Sequence, residues 1–232
     1  VEWIGLNLAR GAGLEVPSNA LIVMPDGLPP ALVVERFDIR SGAQDPRMLA
    51  MEDMCSVLDL APRDKYTGTI ERVARAMRAR STDIENDLLT LLQRALLAWL
   101  IADGDMHLKN MALIEIAHQG SASFSSVRLA PVYDTLTTRA FPHLEHDRMA
   151  LKLNGKDDRL RRADFLAVAA VAGLRASDAN HAIDRLAQAL RVALDRIVVP
   201  SPCLEGCGAE ATVTRVLEIT RERLESFMKD DG

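Results

Sequence analysis

One stretch of the chain, residues 84–102, restricts the possible folds more than any other. The three residues before it, 81–83, read Ser-Thr-Asp, which are helix-capping types, and the segment itself carries apolar residues on most faces of a helix. A helix that is apolar on nearly every side must be covered by other elements, so we predict that it lies at the centre of the domain. Its most apolar part, residues 95–102, is far shorter than the roughly 20 residues that a membrane-spanning helix needs.

The segments around this helix predict a small β-containing front end followed by a mostly helical body. Residues 3–9 predict a short helix that ends at Gly11 and Gly13, and residues 20–24 and 31–37 predict a hairpin. Further helices, a second hairpin and the two hairpin turns are predicted by periodicity and turn residues: helices at 48–60, 69–80, 162–172, 177–197 and 209–229, strands at 111–116 and 124–129, and turns at 25–27 and 119–121.

The composition is that of an ordinary globular protein, and it limits the possible partners. Of the 232 residues, 48% are hydrophobic and 26% are charged, which is enough for a packed core. The net charge of −5 argues against a surface devoted to nucleic-acid phosphates. Three cysteines do not form a disulfide framework, so we expect a reducing, cytoplasmic setting. Cys203 and Cys207 have no third thiol or histidine near them in the sequence, so we do not expect zinc.

The densest group of polar residues follows the buried helix directly. Residues 103–110 read DGDMHLKN and lie between that helix and the first strand of the second hairpin, while residues 131–134, PVYD, follow its second strand. If the hairpin closes, Asp105, Asn110 and Asp134 face one small volume. Oxygen ligands of this kind suit Mg²⁺, which takes one or two protein carboxylates together with water and phosphate oxygens. The five-residue separation from Asp to Asn is also that of the protein-kinase catalytic loop.

Less specific explanations exist for several of these features. A capped turn is the alternative for the three oxygen-bearing residues. His107 is more often a buried structural histidine than a proton carrier, so we do not assign it as a base. Residues 143–147, HLEHD, and the arginines within 72–80 are predicted to be solvated surface. Three methionines recur at a spacing of three and predict core packing: Met48, Met51 and Met54.

The two polar motifs belong to a longer set. Residues 105–110, DMHLKN, resemble the D-x-H-x-K-N loop of the HipA family of serine/threonine kinase toxins from bacterial toxin–antitoxin modules, and residues 131–134 resemble its metal-binding P-x-Y-D segment. Three further segments are similar to that family's pattern: the hinge VERFD at 34–38, the EDMC helix start at 52–55, and the entry segment at 8–17. The resemblance covers residues 2 to about 156 well and the helical tail loosely.

This resemblance implies roles for the loop residues. Asp105 is expected to be the catalytic base, and Asn110 and Asp134 are expected to hold Mg²⁺ beside ATP. The acceptor is then a protein serine or threonine. Phosphoryl transfer mainly requires positioning and charge neutralisation, which one aspartate and a metal-binding Asn/Asp pair supply.

The resemblance also implies a set of residues that bind the nucleotide. The backbone of Glu35 and of Phe37 is expected to bind the adenine edge, and Asp38 is expected to lie near the ribose. Lys109 and His107 match the motif, and we give them supporting roles at the cofactor site, such as holding phosphate or fixing the loop.

The fold that the resemblance implies is α+β and predominantly helical, a protein-kinase-like C-lobe with a remnant of the N-lobe. We predict that residues 1–40 form the N-lobe remnant and residues 41–232 the helical C-lobe. In the family, the phosphate-binding loop and a strand lysine precede the matched segment, and residues 11–13 predict a helix stop rather than a phosphate cradle. We therefore expect these 232 residues alone to bind nucleotide weakly and to transfer phosphate poorly.

The function implied for the intact protein is that of an ATP- and Mg²⁺-dependent serine/threonine kinase. Its expected partners are a protein substrate and a HipB-like DNA-binding antitoxin, with nucleic acid contacted only through that antitoxin and no membrane. Two alternatives remain open from the sequence. One is a non-catalytic kinase-like module that binds an antitoxin or another protein, and the other is a metal-dependent phosphohydrolase that uses the same carboxylates.

Overall fold

The computed structural model describes residues 1–26, 28–40, 47–117, 120–200, 203 and 208–229. Seven α-helices lie within these residues: α1 (Glu2–Gly11), α2 (Met54–Val57), α3 (Ile70–Arg80), α4 (Ile84–Ile101), α5 (Arg162–Val171), α6 (Ala176–Arg196) and α7 (Glu210–Lys229). The strands in the same segments are β1 (Asn19–Ile22), β2 (Ala31–Val34), β3 (Ile39–Arg40), β4 (Arg47–Met48), β5 (Ala50–Asp53), β6 (Ala112–Ala117) and β7 (Phe124–Leu129). Short 3-10 helices cover Pro62–Asp64, Leu108–Asn110 and Thr138–Ala140.

Helix α4 is the centre of the molecule, as its sequence predicts. Residues 91–101 are all buried, and the helix contacts α3, α5, α6 and α7 as well as β7. The helix ends at Ile101. The next residue, Ala102, caps it with a left-handed backbone (φ 56°), which turns the chain into the polar loop. The loop therefore begins at a fixed point of the core.

Two antiparallel hairpins confirm the predicted strand pairs. Strand β1 pairs with β2, with Asn19 opposite Val34, and β6 pairs with β7, with Leu113 opposite Leu129. The turn residues Gly27 and Gln119 lie outside the described residues. Strand β5 adds to the free edge of β6 and completes a three-stranded sheet in the order β5-β6-β7. The short strands β3 and β4 form a separate antiparallel pair.

The predicted helix at residues 48–60 is wrong over most of its length. Strands β4 and β5 take up its first half, and only α2, four residues long, is α-helical. The cause is tertiary, because β5 gains a ladder of hydrogen bonds by pairing with β6. The methionine prediction fails with it: Met54 is buried, whereas Met48 is 70% and Met51 40% exposed on the strands.

The first helix packs into the helical body rather than standing apart from it. Leu6 and Leu8 are fully buried, and α1 contacts α6. A Cβ on Gly11 would lie 2.5 Å from the Cβ of Ala193 in α6, so glycine permits the close approach of the two helices. The division at residue 40 stays a prediction. The predicted α+β class is confirmed, with about half of the residues in helices. Among the described residues, no helix has both the length and the apolar character to cross a bilayer.

Candidate active site

The polar loop after α4 is held by its own backbone and side chains. Asp105 N–H donates to Asp103 Oδ1 at 2.9 Å, and Asn110 N–H donates to the His107 carbonyl at 3.0 Å. The loop ends in the 3-10 helix Leu108–Asn110, from which the chain enters β6. Leu108 is fully buried and serves as the apolar anchor of this turn. The loop is thus fixed at both ends by buried structure.

Asn110 connects the two predicted motifs. Its Nδ2 donates to the main-chain carbonyl of Asp105 at 2.9 Å and to that of Asp134 at 3.3 Å, although the three residues lie up to 29 positions apart in the sequence. The side chain is buried, with 3% of its surface exposed. Because Nδ2 is committed to two carbonyls, the amide orientation is determined, and Oδ1 is the atom left to accept or to ligate.

Asp134 lies at the surface end of this arrangement. It has a left-handed backbone (φ 49°), a conformation that Asp and Asn tolerate better than most residues and that often marks functional positions. The carboxylate of Asp134 also influences Glu2 in the first helix. Burial raises the pKa of Glu2, and the negative charge of Asp134 raises it further. No described basic side chain forms an ion pair with Asp134, so its carboxylate is available to a cation.

The donor set at Asn110 and Asp134 fits a hard divalent cation that is only partly enclosed. Within the described part of the chain no group of three or more His, Cys, Asp or Glu residues could hold a metal by itself. Magnesium does not require such a cage, since it keeps several waters and binds one or two carboxylates together with phosphate oxygens. The amide oxygen of Asn110 and the carboxylate of Asp134 are ligands of the kind that Mg²⁺ prefers, and the hydrogen bond from Asn110 Nδ2 to the Asp134 carbonyl joins the two residues.

Asp105 faces a cleft of about 580 Å³. The side chain of Asp105 is 35% exposed, and its Oδ1 accepts a hydrogen bond from Tyr66 Oη at 2.5 Å. Exposed apolar side chains stand on the cleft wall, among them Phe141 and Leu144. An open carboxylate beside a cleft of this size can accept a proton from a bound hydroxyl group.

His107 lies beneath this carboxylate and is buried. Its Nε2 is 3.9 Å from Asp105 Oδ1, and its Nδ1 has no hydrogen-bond partner among the described residues. Burial lowers the pKa of His107 below the ordinary value of histidine, so the ring is neutral near pH 7. This environment is that of a packed, uncharged histidine.

Lys109 points away from the cleft toward α2. Its Nζ donates to Asp53 Oδ2 at 2.7 Å, and that hydrogen bond raises the pKa of Lys109. Asp53 is also the N-cap of α2, accepting from Ser56 N–H at 3.1 Å. The ion pair ties the loop to α2, which corresponds to the loop-fixing option among the predicted supporting roles.

An aromatic contact connects the residues predicted to bind the nucleotide to the polar loop. Phe37 stacks on Tyr133 with the ring centroids 5.4 Å apart, and Tyr133 Oη donates to the Lys109 carbonyl at 2.8 Å. Glu35 N–H donates to the Ser18 carbonyl at 2.8 Å. The structure thus brings the hinge segment against the residue that precedes Asp134.

Asp38 is engaged locally. It forms an ion pair with Arg36, and the hydrogen bond from Arg36 lowers the pKa of Asp38. Its carboxylate is partly exposed. No contact joins Asp38 to the polar loop within the described residues, so a role near a ribose stays a prediction.

Asp103 has a larger part in the site than its sequence position suggests. It is buried, and its Oδ2 accepts from Thr135 Oγ1 at 2.9 Å and from Leu136 N–H at 3.3 Å, in addition to the loop contact of Oδ1. Burial raises the pKa of Asp103 to about 7. The side chain therefore joins the loop to the segment after Asp134. Its one sequence signal is a carboxylate placed directly after an apolar helix.

Arg94 is a second residue that sequence reasoning did not assign. It is buried within α4 and donates to the carbonyls of Ala130 and Asn110, each at 3.0 Å. Burial lowers the pKa of Arg94 to about 10, so it is charged at neutral pH. The guanidinium holds the end of β7 and the end of the loop together. A lone arginine within an apolar helix is the signal that marks it.

Other predicted features lie apart from this site. Thr69 caps α3, whose basic residues are mostly on its outer side, and residues 143–146 are exposed, as predicted for solvated surface. Of the cysteine pair, Cys203 is buried and Cys207 lies outside the described residues.

Comparison with known proteins gives consistent matches at the level of sequence. A family profile described as "HipA-like C-terminal domain" matches residues 1–194. Two proteins of Sinorhizobium fredii (strain NBRC 101917 / NGR234), named "Putative kinase Y4dM" and "Putative kinase Y4mE", are each 30% identical to the chain over 161 residues. These matches include 64% and 66% of the chain but 36% and 35% of the relatives, so the chain spans about a third of their length.

Solved structures share the fold. The HipA, HipB and operator DNA complex of Shewanella oneidensis MR-1 matches with a TM-score of 0.78 at 19% identity, covering 98% of this chain and 55% of that one. The Helicobacter pylori proinflammatory kinase CtkA matches with a TM-score of 0.63 at 13% identity, covering 99% and 80%. These likenesses confirm the predicted kinase-like fold class.

Proposed function

Because this chain belongs to the family of HipA-like C-terminal domains, we propose that the intact protein is a kinase that transfers the γ-phosphate of ATP, with Mg²⁺, to a protein serine or threonine. The observation that carries the proposal is the side chain of Asn110. One buried amide holds the main chain of Asp105, the candidate base, and of Asp134, the candidate metal ligand. These two main-chain contacts support the proposal that the base and the metal ligand, the two groups that phosphoryl transfer requires, act together.

Each residue of the site has a part in this reaction. The carboxylate of Asp105 accepts the proton of the acceptor hydroxyl as the hydroxyl oxygen bonds to the γ-phosphorus, and the bond from that phosphorus to the β–γ bridging oxygen breaks, releasing ADP. Oδ1 of Asn110 and the carboxylate of Asp134 would hold Mg²⁺, which neutralises charge on the phosphate oxygens. Asp103 and Arg94 hold the polar loop against the chain that follows β7 through the contacts described above.

The nucleotide is proposed to lie against the hinge. The Glu35 N–H is already used by Ser18, so the Glu35 carbonyl and the Phe37 N–H are the backbone groups proposed to bind the adenine edge. Stacking of Phe37 on Tyr133 supports this, because it holds the hinge beside the Asp134 segment. Asp38 is proposed to face the ribose, and Lys109 and His107 to support the loop.

A single comparison of variants tests the proposal. The intact gene product that carries these residues is incubated with MgCl₂ and [γ-³²P]ATP on an array of serine- and threonine-containing peptides. Asp105→Asn is expected to lower transfer about 100-fold or more, in the range of general-base catalysis. The matched control is Asp59→Asn, because Asp59 is exposed and has a left-handed backbone (φ 54°) that asparagine also adopts.

Two results would contradict the proposal. A wild-type protein that transfers no phosphate would favour the non-catalytic module. Hydrolysis of p-nitrophenyl phosphate that persists in Asp105→Asn would favour the phosphohydrolase and remove the role of base from Asp105.

The proposal extends to partners and setting. The Shewanella HipA structure contains HipB and operator DNA, and on that likeness we assign this protein a HipB-like antitoxin through which it contacts DNA. A cytoplasmic setting is proposed from the family and from the sparse cysteines.

A further inference from the structure

Tyr66 reaches the proposed catalytic carboxylate from a different part of the chain. It follows the 3-10 helix Pro62–Asp64, and its Oη donates to Asp105 Oδ1 at 2.5 Å across 39 residues of sequence. A charge-assisted hydrogen bond of this length is among the stronger neutral-donor contacts that a protein makes. Asp105 therefore does not face the cleft as a free side chain.

The turn that carries Tyr66 is fastened to the loop it contacts. The Lys65 carbonyl accepts from Leu108 N–H at 3.0 Å, and Thr67 N–H closes the turn on the Asp64 carbonyl at 2.7 Å. Backbone groups rather than flexible side chains thus set the height of the Tyr66 ring above the loop.

The ring is held by packing as well. Tyr66 meets His107 edge to face, with centroids 5.1 Å apart, and the Nζ of Lys65 lies 5.0 Å from the centre of the Tyr66 ring. Although 49% of Tyr66 is exposed, the side chain rests on the buried histidine of the same loop. Such contacts favour one ring orientation over the others.

The direction of the hydrogen bond is unambiguous. The hydrogen bond to Asp105 raises the pKa of Tyr66 to about 12, so the phenol keeps its proton throughout the physiological range and always donates. Asp105 accepts on Oδ1, which is also the oxygen nearest His107. No described side chain donates to Oδ2, so Oδ2 is the oxygen left for a hydroxyl that enters the cleft.

We propose that Tyr66 is a positioning residue of the kinase site, whose hydroxyl holds Oδ1 of Asp105 so that Oδ2 faces the acceptor serine or threonine. The inference rests on the proposed function and adds to it the group that orients the base. Asp103 and Asn110 hold the main chain of Asp105, and Tyr66 supplies the constraint on its side chain.

Tyr66→Phe tests this role, because phenylalanine keeps the ring on His107 and removes only the hydroxyl. With the intact gene product, MgATP and the best peptide of the array, kcat is expected to fall about 10-fold, as for the loss of one hydrogen bond to a charged group. The KM values for ATP and peptide and the melting temperature are expected to be unchanged. Thr67→Ala, an exposed change in the same turn, is expected to leave all four values unchanged.

The outcomes separate this inference from the proposed function. A wild-type protein without transfer activity would refute the kinase proposal itself. An active wild type with an unchanged Tyr66→Phe variant would overturn only the role of Tyr66. A lower KM for peptide at unchanged kcat would also overturn it, since the hydroxyl would then compete with the acceptor instead of orienting the base.

Discussion

Asp103 is a carboxylic acid whose burial outweighs three hydrogen bonds that favour its charged form. Its oxygens accept from Asp105 N–H, Thr135 Oγ1 and Leu136 N–H, yet the pKa of Asp103 is raised to about 7. Desolvation is the largest cause, as expected for a side chain that is almost inaccessible to water. At the scale of a single residue, the site holds a carboxyl group that changes charge near neutral pH.

This raised pKa predicts a pH-dependent stability. The ordinary pKa of Asp in an unfolded chain is about 3.9, so between pH 4 and 7 the folded state binds more protons than the unfolded state. The free energy of unfolding therefore decreases as pH rises through this window. Asp103→Asn removes this dependence, and the stability of the variant relative to wild type is expected to rise with pH by on the order of 1 kcal/mol per unit.

Urea unfolding followed by tryptophan fluorescence at several pH values from 4.5 to about 7 measures this difference. Asp59→Asn serves as the control, because it makes the same chemical change at an exposed position. If the free energies of unfolding of Asp103→Asn and wild type differed by the same amount at every pH in this range, the folded and unfolded states would bind this proton equally, and the prediction would be wrong.

At the scale of elements, α1 is pressed against the segment that carries the candidate metal ligand. A Cβ on Gly5 would lie 2.2 Å from the Thr135 carbonyl oxygen and 2.9 Å from its carbon, one residue after Asp134. Both are backbone atoms, which cannot rotate away as a side chain can. The absence of a side chain at position 5 therefore sets how closely the helix supports the site.

Gly5→Ala is expected to be destabilising for this reason. Overpacking of this kind typically costs about 1–3 kcal/mol, which outweighs the better helix propensity of alanine. The expected result is a lower melting temperature together with weaker activation by MgCl₂, because the Asp134 segment must shift. Gly68→Ala is the matched control, since its Cβ would meet only leucine methyl groups at 3.7 Å or more. Equal melting temperatures for the two variants would contradict the expected clash.

At the scale of the whole molecule, charge determines which partners the protein can bind alone. The formal net charge of these 232 residues is −5, and affinity for DNA depends chiefly on cations that neutralise phosphates. The proposed contact with DNA is therefore indirect and passes through a basic partner.

A mobility-shift experiment examines this expectation. The probe is the intergenic DNA upstream of the protein's own reading frame, at about 150 mM salt, where non-specific attraction is reduced. The intact protein alone is expected to leave the probe unshifted, whereas protein co-expressed with the product of the adjacent reading frame is expected to shift it. A shift by the protein alone would refute indirect binding.

Much of the site could be predicted from the sequence because its signals are local. The spacing between Asp105 and Asn110 lies within one loop and can be recognised without knowledge of the fold. A helix that is apolar on nearly every side, such as α4, must be buried. The hairpin that returns Asp134 to the loop follows from adjacent strands, whose pairing needs no distant partner. These inferences use sequence separations of a few residues or a single turn.

Only the tertiary structure decided the rest, because each case depends on groups that are distant in the chain. Residues 50–53 formed strand β5 by pairing with the edge of β6, against their helical periodicity. Tyr66 met Asp105, and Asp103 met Thr135, through packing around α4 that no local pattern encodes. The sequence alone therefore determined which chemical groups the loop carries. Folding determined which of them are buried, oriented and charged, since solvation and hydrogen bonding depend on three-dimensional neighbours.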